Sequence, residues 1–277
     1  MKRINNPAHD CAIVDQFSRQ AKGFAASPKL HADEVLKLIV QAAALGSNDR
    51  AIDLACGPGS VVCALAEHAS WVIGLDMTPA MLDQARALAK SRGLSNVEWK
   101  EGSIYAAPYA DGSFDAVTCR FAFHHLTNPP GAFAEMVRLA APGGRIVLCD
   151  GLAADDPEKA QAFNAMERRR DPSTVEFRTL DYLCRLFVEM GLGEPDIWAF
   201  QVAYLAADLV KASFPEGDDR FGLLALIESS VEGDSLGMGA TALKRDVVLA
   251  GSLRQGHRPL PAPESSLHCL ADSVHTA

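Results

Sequence analysis

The chain has 277 residues, 48% of them hydrophobic, enough for one sizeable core; this length fits one large domain, or one domain with a smaller cap, better than two independent domains. Its formal net charge of −9 and pI near 5.4 exclude a broad phosphate-binding surface, because affinity for nucleic acid depends on clustered Lys and Arg. A small-molecule partner is expected instead.

The first residues, MKRINNPAHD, are polar and lack the apolar segment and small-residue cleavage site of a secretory signal. No later apolar run approaches membrane-spanning length, so the expectation is a soluble, cytoplasmic protein without a membrane span. Residues 1–30, with QFSRQAKGFAASP, read as an N-terminal helical cover over an opening, in which Phe17 and Phe24 serve either as substrate-facing or as packing residues. From residue 31 onward, helical patterns alternate with short β-branched runs, the signature of a parallel sheet covered by helices on both faces.

Strands are expected at Ala51 to Ala55, Trp71 to Asp76, Val97 to Glu101, Phe114 to Arg120 and Gly144 to Asp150. A helix starts near Ser60. Thr78 then reads as an N-cap before Pro79 at the first helical position, with Met81, Ala85, Leu88 and Ala89 on one face before Gly93. Pro129 and Pro130 open a helix with a Phe133, Met136, Val137 and Ala140 stripe, and A-P-G-G at 141–144 turns the chain into the next strand.

Two lid insertions are expected, near 154–180 and 205–238. The first carries the polar helix DDPEKAQAFNAMERRRDPS, and TLDYLCRLFVEMGL forms an amphipathic helix after it. Strands near Ile197 to Tyr204 and Asp246 to Ala250 complete a main domain of residues 31–252, and residues 253–277 read as a mobile tail without periodicity. The seven cysteines form no C-x-x-C pair, so neither disulfides nor a metal site is expected.

In an open parallel sheet, ligands bind outside the carboxyl ends of the strands, and the first strand-to-helix turn sits there. That turn is LACGPGS, whose Gly57 and Gly59 let the backbone approach a ligand, or alternatively only make a tight turn. The dinucleotide fingerprint requires a third glycine three residues after Gly59, where this chain has Val62, so the NAD or FAD reading loses its distinctive element. Asp76, 17 residues after Gly59, can accept from both hydroxyls of a ribose, or serve as a helix N-terminal acid. Cys56 lies inside the turn without a readable partner base, so no nucleophilic role is assigned to it.

DLACGPG at 53–59, GLDMTPAML at 74–82, DGSFDAV at 111–117, HHL at 124–126 and APGG at 141–144 together resemble the class I S-adenosylmethionine-dependent methyltransferases, closest to the ubiquinone and menaquinone branch. The resemblance spans roughly residues 15–252. It implies a Rossmann-like, mostly parallel seven-stranded sheet whose last strand is antiparallel, and S-adenosylmethionine as cofactor. Carried over by position, it implies that Asp53, Ala55, Gly57 and Gly59 surround the methionine portion, Asp76 holds the ribose, and Met77 lies beside the adenine. Ser103 and Ile104 stand where the family commonly has Asp-Ala, so a shorter, uncharged hydroxyl replaces the expected acceptor for the adenine amino group.

Methyl transfer demands mainly that the acceptor be held near the methyl carbon, that water be excluded and, for some acceptors, that a proton be removed. Arg120 can reach a carboxylate or a polar cofactor group. His124 and His125 are candidate bases, or alternatively cap and pack; as neighbours they point in different directions, so at most one faces the acceptor. The RDPS segment also resembles one in relatives of this branch, which implies that Arg170 and Asp171 help shape the substrate lid, although an arginine run also fits a solvated helix face, and Asp171 before Pro172 also fits a helix stop. The function expected is methyl transfer to a small organic acceptor at carbon, oxygen or nitrogen, including acceptors in biosynthesis. The alternatives are a cyclase or rearrangement enzyme using the same cofactor site, and a non-catalytic cofactor-binding subunit.

Overall fold

The computed structural model describes residues 6–25, 33–203, 206–211, 213–238 and 243–252. In chain order the elements are α1 (Pro7–Ala25), α2 (Asp33–Ala43), β1 (Arg50–Leu54), α3 (Ser60–Leu65), β2 (Trp71–Asp76), α4 (Pro79–Ser91), β3 (Val97–Glu101) and β4 (Phe114–Arg120). A 3-10 turn at Phe123–His125 follows, then α5 (Pro129–Leu139), β5 (Ala140–Leu152), α6 (Pro157–Arg170), α7 (Leu180–Glu189), β6 (Asp196–Ala203), α8 (Ala206–Lys211), α9 (Arg220–Ser230) and β7 (Leu243–Ser252). The expected tail at 253–277 lies outside the described residues. Among the described residues no helix is long and apolar enough to cross a membrane.

The strands form one sheet in the order β3-β2-β1-β4-β5-β7-β6, with β1 to β5 parallel to one another and β7 antiparallel to both β5 and β6. The period-2 alternation of side chains divides the apolar residues between the two faces. Ile52 and Leu54 of β1 join Phe133, Met136 and Leu139 of α5 and Leu183, Leu186 and Phe187 of α7 in one core. Ala51 joins Val35, Leu36 and Ile39 of α2 and Val61, Val62 and Leu65 of α3 in the other. The chain runs from β1 outward to β3 and returns to β4 on the other side of β1, so the strand order reverses between β1 and β4.

Three local expectations are corrected. A-P-G-G lies inside β5 rather than before it: the strand begins at Ala140, Gly143 adopts φ 83°, and the register opposite β4 shifts between Phe114 and Ala116 to absorb the bend. Thr78 stands at the N-cap of α4, but its side chain makes no capping bond, and the preceding carboxylate of Asp76 accepts from the Thr78 N–H instead. On α4 the buried face is Met81, Leu82, Ala85 and Ala89, with Leu88 only half-buried; on α5, Val137 is half-buried, and Ala140, buried as expected, is already the first residue of β5.

The two segments expected as insertions meet in a third core, where Phe163 and Met166 of α6 join Phe177 beyond the end of that helix, Leu209 and Val210 of α8, and Leu223 and Ile227 of α9. Asp156 caps α6 by accepting from the N–H groups of Glu158 and Lys159, and Asp219 caps α9 by accepting from Gly222. Arg169 of α6 pairs with Asp219, tying the two insertions at their surface. Because this core is separate from the two that flank the sheet, Ile227→Ala, at a fully buried position, is expected to destabilise the insertions by about 2–5 kcal/mol. Hydrogen exchange should show α6 and α9 losing protection while β1 and β4 keep theirs. Equal loss in the sheet would show that the insertions do not form a unit of their own.

Candidate active site

A cavity opens at the carboxyl ends of β1, β2, β3 and β4, at the point where the strand order reverses, and encloses about 910 Å³ of empty space including its open mouth. Asp53, Ala55, Cys56, Gly57 and Pro58 line it from β1 and its turn, Asp76, Met77 and Thr78 from the end of β2, and Gly102 and Ile104 from the end of β3. Arg120, Phe121, Ala122, His125 and Leu126 line it after β4, and Ile13 and Phe17 of α1 close it from above. The N-terminal helix is therefore a wall of the cavity. Phe17 meets the His125 ring edge-on at 5.0 Å between centroids. The Phe24 side chain lies outside the described residues.

The two glycines of the turn have different tasks. Both adopt positive φ, 51° at Gly57 and 84° at Gly59. A Cβ built on Gly57 meets no atom within 4 Å, so this position forms an open cradle on the cavity wall. A Cβ on Gly59 would sit 2.6 Å from Trp99 and 2.8 Å from Ala85. Gly59 does not line the cavity, and its lack of a side chain is required by packing against β3 and α4. Ala55 and Phe121, at the ends of β1 and β4, adopt φ 54° without being glycine, the kind of backbone strain that collects at binding sites.

Asp76 is buried and holds the turn: one carboxylate oxygen accepts from Gly57 N–H at 2.8 Å, the other from Thr78 N–H at 2.8 Å. A carboxylate has about four lone-pair sites, so both oxygens keep capacity for a ligand. Burial raises its pKa against the hydrogen bonds it accepts from Thr78, Gly57 and Met77. Asp53 is 1% exposed and accepts from the Thr118 hydroxyl at 2.6 Å. Burial pushes its carboxyl up to about 7, while the Thr118 bond and the Arg120 charge pull it down and the Asp76 charge adds to the rise. Two buried carboxylates on one wall make a site for a ligand carrying positive charge. Arg120 places its guanidinium 4.7 Å from the centre of the Phe121 ring. Burial also raises the Cys56 thiol well above its ordinary value, which keeps it protonated and unreactive.

The remaining candidates divide. Ser103 does not line the cavity; its hydroxyl accepts from Tyr105 N–H at 3.3 Å within its own turn, and Gly102 and Ile104 occupy the wall there. His124 is also outside the cavity. Its backbone N–H and ring Nδ1 both bond the Asp150 carboxylate, at 2.9 and 2.6 Å, and its ring stacks on Phe177 at 4.1 Å. His125 faces the cavity, and burial together with the neighbouring His124 lowers its pKa well below the ordinary value, so it is a neutral imidazole. Arg170 does not reach the cavity; its guanidinium pairs with the buried Glu167 at 2.7 Å. Asp171 terminates α6 and is buried behind His125 rather than exposed on the cavity wall.

Ile13, Gly102 and Phe121 line the cavity without standing among the residues expected there, and Ser173, unexpected as well, lies 3.1 Å from His125 Nδ1 outside the cavity. Ile13 shares a face of α1 with Phe17 and was findable by its i, i+4 spacing. The positive φ of Phe121 carries no signal in the residue type.

A family model described as "Methyltransferase domain" matches residues 52–148. The chain is 30% identical over 190 residues to the uncharacterised methyltransferase YcgJ of Bacillus subtilis, a match covering 68% of this chain and 75% of that one. The crystal structure of YcgJ superposes with a TM-score of 0.69, at 24% identity, over 81% of this chain and all of that one. A demethylmenaquinone methyltransferase of Deinococcus radiodurans is 43% identical over 103 residues, 36% of this chain and 42% of that protein.

Proposed function

The chain belongs to the class I S-adenosylmethionine-dependent methyltransferases, and on that premise we propose that its cavity holds S-adenosylmethionine beside a small organic methyl acceptor. The observation that carries this reading is the pairing of the open Gly57 cradle with two buried carboxylates, Asp53 and Asp76, on one wall. The cofactor carries a sulfonium and an ammonium, and the donor and acceptor chemistry of this wall fits both its charge and its ribose hydroxyls. When bound, it supplies a methyl group on positively charged sulfur and leaves as S-adenosylhomocysteine.

Asp53, Ala55 and Gly57 flank the methionine portion in this reading, Asp76 accepts from the ribose hydroxyls, and Met77 and Ile104 border the adenine. Arg120 lies where it can meet the cofactor carboxylate. The acceptor enters on the side walled by Ile13, Phe17 and His125, where apolar side chains exclude water around one neutral polar group. Relatives named as quinone methyltransferases support a small-molecule acceptor, cyclic and carbon-nucleophilic among the options.

Incubation with methyl-labelled cofactor and a panel of small acceptors, read by mass spectrometry, tests the proposal. Label in one product with matching S-adenosylhomocysteine supports it. Turnover without label and without released S-adenosylhomocysteine would assign the site to cyclisation or rearrangement instead.

The glycines give a separate test. Gly59→Ala forces Cβ into Trp99 and Ala85 at a left-handed residue and should lower stability by about 2–4 kcal/mol. Gly57→Ala meets no protein atom and should destabilise by only about 1 kcal/mol, the left-handed penalty, while its methyl occupies the cradle and weakens cofactor binding at least roughly tenfold. Thermal melts alongside cofactor titrations separate the two. Equal behaviour of both variants would contradict the division of tasks.

A further inference from the structure

We propose that Asp171 and Ser173 are positioning residues that fix His125 as its Nδ1–H tautomer, so that Nε2 is offered to the methyl acceptor as a hydrogen-bond acceptor. This rests on the reading of the cavity as a methyl-transfer site and deepens it, because it selects acceptors that carry a hydroxyl or another proton-bearing heteroatom next to the transfer point.

The tautomer follows from counting protons. Ser173 is 1% exposed, and its Oγ lies 2.6 Å from Asp171 Oδ1 and 3.1 Å from His125 Nδ1. Asp171 receives three donors: the Ser173 hydroxyl, the Ser173 N–H at 3.0 Å and Gln20 Nε2 at 3.2 Å. A carboxylate with three donors is ionised and can only accept, so it takes the single hydroxyl proton of Ser173. The Ser173 oxygen is then an acceptor toward His125, and Nδ1 must carry the ring proton. Nε2 keeps its lone pair and makes no hydrogen bond among the described residues, while the ring forms part of the cavity wall.

The surroundings hold this chain of bonds in place. The His124 carbonyl accepts from Val175 N–H at 2.9 Å and Glu176 N–H at 3.0 Å, which pins the segment after Ser173 against the 3-10 turn. Asp150 fixes the same turn through the backbone and ring of His124. From the cover, Gln20 grips Asp171, and His9 Nε2 lies 2.7 Å from the His125 carbonyl oxygen. Helix α1 thus contributes both to the cavity wall and to the polar chain behind His125. A neutral imidazole with one fixed lone pair orients a donor; it does not need to take the proton fully.

Long-range proton–nitrogen correlation spectra of the full chain labelled with nitrogen-15 at histidine, with the signals assigned through His125→Gln, read the tautomer directly. The apo wild-type protein should show His125 Nε2 as the unprotonated nitrogen, and Ser173→Ala should invert or average the two nitrogens. With S-adenosylhomocysteine bound, saturating phenol should displace the Nε2 signal at least fivefold more than anisole, which has the same ring and no donor. A protonated Nε2 in the wild-type chain, an unchanged tautomer in Ser173→Ala, or equal responses to phenol and anisole would overturn the proposal. Failure of S-adenosylhomocysteine to bind would instead overturn the cofactor reading, and the apo tautomer measurement does not depend on it.

Discussion

Asp76→Ala is expected to weaken S-adenosylmethionine binding by about 2–4 kcal/mol, roughly 30-fold to 1,000-fold, because the carboxylate acts at two levels. It is proposed to accept from the ribose, and it also closes the turn by accepting from the N–H groups of Gly57 and Thr78. Each charge-assisted bond contributes on the order of 1.5–3 kcal/mol. Asp76→Asn should do little better than alanine. Two backbone donors face the two oxygens, and an amide can accept only one of them while its NH2 opposes the other. Calorimetric titration checks both variants, and a loss under threefold in either would remove Asp76 from the cofactor assignment.

Asp53→Asn should raise stability while weakening the cofactor. In the folded chain the Asp53 carboxyl titrates near 7, against 3.8 for an ordinary aspartate, because burial disfavours its charge. The folded state therefore binds the extra proton between these values, so its contribution is most favourable below pH 3.8, is lost progressively up to pH 7 and stays lost above it. Asparagine keeps the Oδ1 that accepts from Thr118 and carries no charge. Melting temperatures of variant and wild type should coincide near pH 4 and diverge toward pH 7, with the variant ahead by on the order of 1–3 kcal/mol, about 2–12 °C. Above pH 7 the gap should be flat. The same variant should bind S-adenosylmethionine roughly tenfold or more weakly, since the ligand's positive charge loses its buried partner. A variant that is both less stable at pH 8 and unimpaired in binding would contradict this account of the charge.

Much of the cavity wall was legible because its requirements are local in sequence. A strand end, a turn needing positive φ at Gly57 and an acid closing the next strand are written within 26 residues, and each is recognisable by residue type alone. What was not legible depends on partners distant in the chain. Gly59 looks identical to Gly57 until Trp99, forty residues on, is seen pressed against it. His124 and His125 are equivalent as sequence, and only Asp150 and Ser173, 26 and 48 residues later, decide that the first is locked into the fold and the second faces the cavity. Arg170 and Asp171 were expected at the substrate lid as a pair. Glu167, one helical turn earlier, takes the arginine, and the helix end turns the aspartate inward to Ser173. The contact of α1 with the cavity was readable in its amphipathic spacing, but its polar hold on Asp171 through Gln20 was not.

The proposed hold of a buried acidic wall on a positively charged nucleoside is best probed by proton-linked calorimetry. S-Adenosylmethionine titrated into the wild-type chain at pH 6.5, in two buffers of different ionisation enthalpy, should bind and release protons, because the ligand's charge favours the ionised form of Asp53. The release should shrink by pH 8 and be largely absent in Asp53→Asn. Absence of binding, or a proton release that the variant leaves unchanged, would contradict the account.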